Sequence, residues 1–341
     1  MRAAVYYSNQ DIRIEEVPVP RIGPGEILVR IESSGICGSD VMEWYRLPRA
    51  PLVLGHEIAG VVEKVGDGVT RFAPGDRVAV SHHVPCNECL YCRRGQHSLC
   101  DTLRSTNFDP GGFAEYVRVP PINVETGTFI IPGTIPFDTA AFIEPLACVV
   151  RGVRTARWRE GDSVLILGSG ISGLLFVKLL RATGASRIVT TDPVPRRREA
   201  ALRAGADEAI EPGEATPERL RELGGGRLFD LVVAAAGAPA VAQQALHSSD
   251  RGGTVLLFAP LEPGAIVPIR LFDLWRDQVT VVSTYAGCPE DTVRAIELLD
   301  AGTVEVDDMI THRLPLARTG EGFRLTAGGG ESIKVVIHPQ E

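Results

Sequence analysis

Lysine is scarce in this chain of 341 residues, occurring only at Lys64, Lys178 and Lys334, and methionine and tryptophan each occur three times. No basic run alternates with aromatics, which excludes a single-strand nucleic-acid groove. The formal net charge of −8 argues against nucleic acid or an anionic membrane surface as the main partner. No uninterrupted apolar run reaches the length of a membrane span. The opening MRAAVYYSNQDIRIEEV reads as an early strand without the apolar core and cleavage site of a signal peptide, so a cytoplasmic, reducing location is expected.

Cysteine is present but clustered. Four of the seven fall in CNECLYCRRGQHSLC, at Cys86, Cys89, Cys92 and Cys100, with the spacing C-x2-C-x2-C-x7-C. Persistent disulfides are rare in a reducing compartment, so this spacing reads as a tetrahedral zinc site. Four unrelated core cysteines would not crowd into a loop rich in Asn, Arg and Gly. A four-cysteine shell is coordinatively full, whereas catalytic zinc needs an open position. The lobe is therefore expected to hold shape, and the chemistry to lie elsewhere.

Length and composition, 44% apolar and 23% charged, suit a soluble chain of two domains. In the first third, EILVRIESSGI, EIAGVVEKVG, DRVAV and FAEYVRV are short strand-like runs separated by Gly, Pro and Asp, which suggests a compact β domain. The pattern changes near residue 150. DSVLILGSGISGLLFVKLLRATGASRIVTTD reads as buried strand, glycine turn, apolar helix and second strand. The strand-like runs LFDLVVAAAG, GTVLLFAP and QVTVVSTYAG follow, separated by helical segments, and imply an α/β unit with a parallel sheet covered by helices on both faces. PEDTVRAIELLDAG reads as an amphipathic helix and ESIKVVIHP as a terminal strand.

GSGISG fits G-x-G-x-x-G at Gly168, Gly170 and Gly173, and it stands between a strand and a helix, the context that motif requires. The glycines permit a sharp turn and close approach to a pyrophosphate, and the helix start from Ile171 supplies oriented amides. Asp192 ends the next strand, where a carboxylate binds the ribose hydroxyls and repels a 2′-phosphate; NAD is expected ahead of NADP. Arg196, Arg197 and Arg198 oppose that preference, since any of them can bind a phosphate, and Arg197 is retained as a cofactor candidate.

Further metal-type ligands stand in three places: Cys37 in GICGSD, His56 and Glu57 in LGHEIAG, and Glu144 in FIEPLAC. Each alone has an ordinary reading: a buried thiol, a hydrogen-bonded histidine, an acid at a helix N-terminus. Taken in order, however, CGSD, GHEIAGVVEKVGDGV, PGDRV, the cysteine lobe, GGFAEY, EPLA, the glycine turn and TYAG resemble the zinc-dependent alcohol dehydrogenases of the medium-chain dehydrogenase/reductase superfamily over essentially the whole chain. The resemblance implies a GroES-like β-rich catalytic domain over 1–148, with a structural zinc lobe at about 81–106, a Rossmann NAD-binding domain over 149–286, and a return to the catalytic domain over 287–341. It implies two zinc ions per chain. One is structural, on the four lobe cysteines; the other is catalytic, on Cys37, His56 and Glu144, as in the glutamate-ligand branch of sorbitol and threonine dehydrogenases. Glu57 matches the adjacent acid, which binds zinc directly or through water, and Ser39 matches the hydroxyl that starts the family's proton relay.

One departure concerns that relay. The family often continues it to a histidine five residues after the first ligand cysteine, and here that position is Met42, which carries no proton. The resemblance implies reversible oxidation of a secondary alcohol of a polyol, sugar or cyclitol, with hydride transfer to NAD and a homodimeric or homotetrameric assembly. L-threonine 3-dehydrogenase activity is the alternative enzyme reading. A non-catalytic NAD(H)-binding sensor would show a degraded Cys37–His56–Glu144 set, yet all three are present. His82, His83 and His97 are read as structural histidines around the lobe, and Cys148 and Cys288 as buried thiols.

Overall fold

The computed structural model describes all 341 residues, which form two compact units. One comprises Met1–Cys148 and Ala286–Glu341; the other is Val149–Tyr285.

The first unit is built on a sheet that runs Ile310–Pro315, Lys334–His338, Ile27–Gly35, Glu57–Val65, Arg77–Val80 and Thr128–Ile130, with Tyr116–Val119 also paired to Ile27–Gly35. The alternation of ILVRIESSG and EIAGVVEKV turns Ile27, Val29, Ile31, Ile58 and Val62 into one apolar core with Val78, Val80 and Val117. The antiparallel register sets Gly35 opposite Glu57, and Lys334–His338 pairs antiparallel to the same strand end at Ser34 and Gly35. A smaller antiparallel sheet orders Asp11–Glu16, Arg2–Ser8 and Leu52–Val53. The strand Ile310–Pro315 has no counterpart in the sequence reading.

Within this unit Asp138 ties the chain's last strand to its first third. Its carboxylate accepts from Ser33 Oγ at 2.7 Å, Arg313 Nε at 2.6 Å and His338 Nε2 at 2.8 Å. Burial pushes Asp138 up, but the bonds from His338, Ser33 and Arg313 outweigh it and hold the carboxyl well below its ordinary 3.8. The hydrogen bond to Asp138 raises His338 above its ordinary 6.5, against burial. A raised histidine stabilises fully below 6.5 and less as pH climbs through its raised value; the lowered Asp138 contributes above 3.8. The pair is therefore fully effective between those values. His338→Gln is expected to remove a decline in the urea midpoint above pH 6.5 that wild type shows, and Asp138→Ala to cost about 2 kcal/mol, both read by urea titration across pH.

The second unit is a six-stranded sheet, parallel throughout, in the spatial order Glu208–Ile210, Arg187–Thr191, Ser163–Leu167, Phe229–Ala234, Ser249–Leu257 and Thr280–Ser283. Numbered by sequence within the unit this is 3-2-1-4-5-6, the doubly wound order of dinucleotide-binding sheets. Strand SVLIL is buried at every position, as a central parallel strand covered on both faces must be. The order reverses between Ser163–Leu167 and Phe229–Ala234, and the crevice beyond the ends of those strands is where such sheets bind ligands.

Candidate metal centres and dinucleotide turn

The four lobe cysteines converge. Cys89 Sγ lies 3.5 Å from Cys92 Sγ, Cys100 Sγ 3.6 Å from Cys86 Sγ, and Cys86 Sγ 4.0 Å from Cys92 Sγ. Zinc–sulfur bonds of about 2.3 Å in a tetrahedron put sulfurs about 3.8 Å apart, so the quartet fits zinc as it stands. The chain supports thiolates there: the amide of Cys86 donates to Cys100 Sγ at 3.4 Å and that of Cys89 to Cys86 Sγ at 3.3 Å. Against burial, such bonds hold Cys100 down to about 6. Beneath the sulfurs the lobe has little apolar filling beyond Leu103 and Ala286, so the metal replaces a core. Cys92→Ser is expected to release about one zinc ion per chain and expose the lobe to tryptic cleavage at Arg93 and Arg94, read by metal analysis and limited proteolysis.

A second set of donors lies in the same unit. Cys37 caps the short turn Gly38–Val41, its sulfur accepting the Ser39 amide at 3.4 Å. His56 precedes the strand Glu57–Val65, and Glu144 sits in the first turn of the helix Ile143–Thr155. Donor atoms of Cys37, His56 and Glu57 lie within 4.8 Å of one another, as do those of His56, His82 and Glu144. His56 joins the two groups. His82 Nδ1 is buried there without a hydrogen-bond partner.

Around these donors the supporting shell is charged and buried. Asp40, fully buried, accepts the Cys37 amide through Oδ2 at 3.0 Å and faces His56 Nδ1 through Oδ1 at 3.3 Å. That contact orients the ring and leaves Nε2 for a metal. Burial pushes His56 down, but Asp40 and Cys37 raise it well above 6.5 overall. Glu144 is raised by burial and by Glu57, with His56 opposing. His82 is lowered well below 6.5 by burial, then by His83 and His56, so its ring is a neutral donor–acceptor. Asp40→Asn is expected to lower catalytic metal affinity about 10- to 100-fold, measured by competition with a chelating dye.

Glu57 has a buried partner that the sequence reading missed. Its Oε2 forms an ion pair with Lys334 Nζ, both side chains being almost wholly enclosed. The ammonium also donates to the Ile36 carbonyl at 3.3 Å and lies 5.6 Å from the Phe142 ring centroid. Gly35 makes this possible, since a Cβ there would strike both Glu57 Oε2 and Lys334 Nζ. Ser39 is brought beside Cys37, but its hydroxyl accepts from Arg46 Nη2 at 3.1 Å. Arg46 also donates to the Ser39 carbonyl at 2.9 Å and faces Asp40 at 3.4 Å.

In the second unit, Gly168 adopts φ 107° and Gly173 packs so closely on it that a Cβ would strike the Gly168 carbonyl. The helix Ile171–Ala182 starts at Gly170 with no side-chain cap, leaving its first amides to a ligand. Ser169 Oγ and Arg197 Nε are buried there without partners, so the turn fits a dinucleotide. Asp192 accepts from the amides of Ser169 at 2.8 Å and Val194 at 2.9 Å. Arg197 Nη1 stands 4.0 Å from its carboxylate, and Arg198 is occupied by the carbonyls of Asp192 and Pro193.

Comparison with known proteins agrees with both arrangements. Residues 23–126 match the alcohol dehydrogenase GroES-like domain, and residues 172–301 match the zinc-binding dehydrogenase domain. The chain is 33% identical to sorbitol dehydrogenase of Bombyx mori, over 99% of this chain and 98% of that one. It is 34% identical to L-threonine 3-dehydrogenase of Pyrococcus abyssi, over 94% and 93%. A zinc-binding dehydrogenase structure from Sinorhizobium meliloti, bound to NADP, superposes with a TM-score of 0.88 at 30% identity, covering 99% of each chain. With GroES-like and Rossmann folds, zinc-type donor sets and relatives matched end to end, the chain belongs to the zinc-dependent alcohol dehydrogenases of the medium-chain dehydrogenase/reductase superfamily, oxidoreductases that use zinc and a nicotinamide dinucleotide.

Proposed function

We propose that the protein oxidises a secondary alcohol of a polyol, sugar or cyclitol to a ketone, reversibly, with NAD. The observation that carries this reading is that the donors of Cys37 and of Glu144 each converge on His56, beside His82. When bound, the zinc supplies Lewis acidity to the alcohol oxygen and the nicotinamide accepts the hydride. Cys37, His56 and Glu144 hold the metal, with Glu57 beside them, while Asp40 fixes the His56 tautomer and Lys334 balances the charge of Glu57. Neutral His82 suits a neighbouring hydroxyl of a polyol, which both gives and takes a hydrogen bond. L-threonine needs a receptor for its carboxylate, and Arg46, the first cation after Cys37 in the sequence, is already engaged by Ser39 and Asp40. With Met42 in the relay position and Ser39 bonded to Arg46, the proton leaves through Glu57, through water, or through a hydroxyl of the substrate or ribose.

The test is NADH formation over polyols, cyclitols, sugars, L-threonine and simple alcohols, with and without chelator. Chelator-sensitive turnover on polyols or cyclitols is expected; turnover confined to L-threonine overturns the substrate class.

Asp192 supports NAD, its carboxylate lying where a 2′-phosphate would bring a second negative charge. The NADP bound by the Sinorhizobium meliloti relative and the arginines at 196–198 favour the opposite cofactor. Asp192→Ser is expected to shift the NAD:NADP ratio of kcat/KM toward NADP by about 100-fold. A wild-type preference for NADP would refute the NAD reading.

A homodimer or homotetramer is part of the same proposal. Strand Thr280–Ser283 ends its sheet with an open edge, and Ile266, Leu271, Phe272 and Trp275 nearby in sequence are 64–85% exposed. Light scattering of the purified chain tests it, and a monomer at micromolar concentration would refute it.

A further inference from the structure

We propose that His97, Cys288 and Glu290 form a third metal site, for a borderline-soft divalent cation such as zinc. One donor atom from each lies within 4.8 Å of the other two, and none of the three belongs to the lobe quartet or to the Cys37–His56–Glu144 set. Imidazole, thiolate and carboxylate together match the donor types of three-ligand zinc centres, and a set containing sulfur disfavours calcium or magnesium.

The donors come from two firmly held segments. His97 opens the short turn His97–Leu99, three residues before lobe cysteine Cys100. Cys288 caps the twelve-residue helix Pro289–Asp300 and is 2% exposed. Its amide donates to Asp291 Oδ2 at 3.0 Å; its sulfur lies 2.8 Å from that oxygen and 3.5 Å from Glu290 Oε1. The sulfur and the Glu290 carboxylate are therefore already in contact. On the other side, a cavity of about 400 Å³ lined by His97, Glu290, Asn87 and Glu125, with Arg71 at its wall, leads in from solvent. Two of the three donors, His97 and Glu290, thus line that cavity.

Binding is a substitution: the Cys288 sulfur–hydrogen bond breaks, a sulfur–metal bond forms, and the proton passes to solvent with no change of oxidation state. A bound cation would join the lobe to the start of the helix Pro289–Asp300. If the cluster is only a helix cap, its hydrogen bonds need no metal and Cys288→Ser leaves metal content untouched.

The experiment uses the full chain, with both other centres loaded, equilibrated with excess zinc and freed of unbound metal. Wild type is expected to hold about three zinc ions per chain and Cys288→Ser about two, with dehydrogenase turnover retained. Glu290→Gln, at an exposed position that leaves the Cys288–Asp291 cap intact, is expected to fall to about two as well, which covers misfolding of the cysteine variant. Adding cobalt(II) in place of the excess zinc is expected to give a thiolate-to-cobalt charge-transfer band that Cys288→Ser lacks. Only about two zinc ions in wild type, or a third that survives both substitutions, overturns the site.

Discussion

Replacing Lys334 with methionine is expected to destabilise the first unit by about 3–5 kcal/mol, because it leaves the Glu57 carboxylate enclosed without its counter-charge. Against a typical total of about 5–15 kcal/mol, that loss is a large fraction of the whole. The double variant Lys334→Met, Glu57→Gln removes both charges, and is expected to recover most of the stability. Urea midpoints for the single and double variants measure the coupling. Equal destabilisation in both would mean that packing, not charge, is what Lys334 contributes. The activity of the double variant carries separate information. If Glu57 also takes the alcohol proton, turnover stays low even where stability returns.

The other large effect is expected at Glu144. Glu144→Ala removes one proposed metal donor, and is expected to lower kcat/KM by about 1,000-fold, roughly 4 kcal/mol of transition-state stabilisation. Metal analysis should show the loss of about one zinc ion per chain while the lobe keeps its own. Its neighbour Cys148 lies 3.5 Å from Glu144 Oε1 and is raised well above the usual thiol range by burial and then by Glu144. Full activity in Glu144→Ala would remove this residue from the ligand set and with it the link to the glutamate-using branch.

How much of this was legible in the sequence depended on how local each signal is. Cys86 to Cys100 and Gly168 to Gly173 declare themselves because their partners lie within a few residues and their chemistry demands a fixed spacing. The parallel sheet was legible from buried runs such as SVLIL, apolar from Val164 to Leu167. Cys37, His56 and Glu144 are far apart in the chain, and only the family resemblance joined them. Lys334 was invisible: it stands in the apolar run ESIKVVIHP, and nothing there says that its strand pairs beside Gly35, opposite Glu57. The proximity of His82 to His56 was hidden for a related reason. Its place before the lobe suggested a structural role, whereas the end of the strand Arg77–Val80 carries it onto His56, with ring centroids 4.7 Å apart. Strand Ile310–Pro315 escaped because ITHRLP mixes polar and apolar residues with a terminal proline, and its identity comes from the parallel pairing with Lys334–His338.

The ion pair between Glu57 and Lys334 also has a consequence in time. Glu57 leaves the ribosome early and Lys334 only near the end, with the whole of Val149–Tyr285 made in between. Until the last strand arrives, the acid beside His56 has no counter-charge and its enclosure is unfavourable. A fragment that stops short of Lys334 is therefore expected to lack the counter-charge of Glu57.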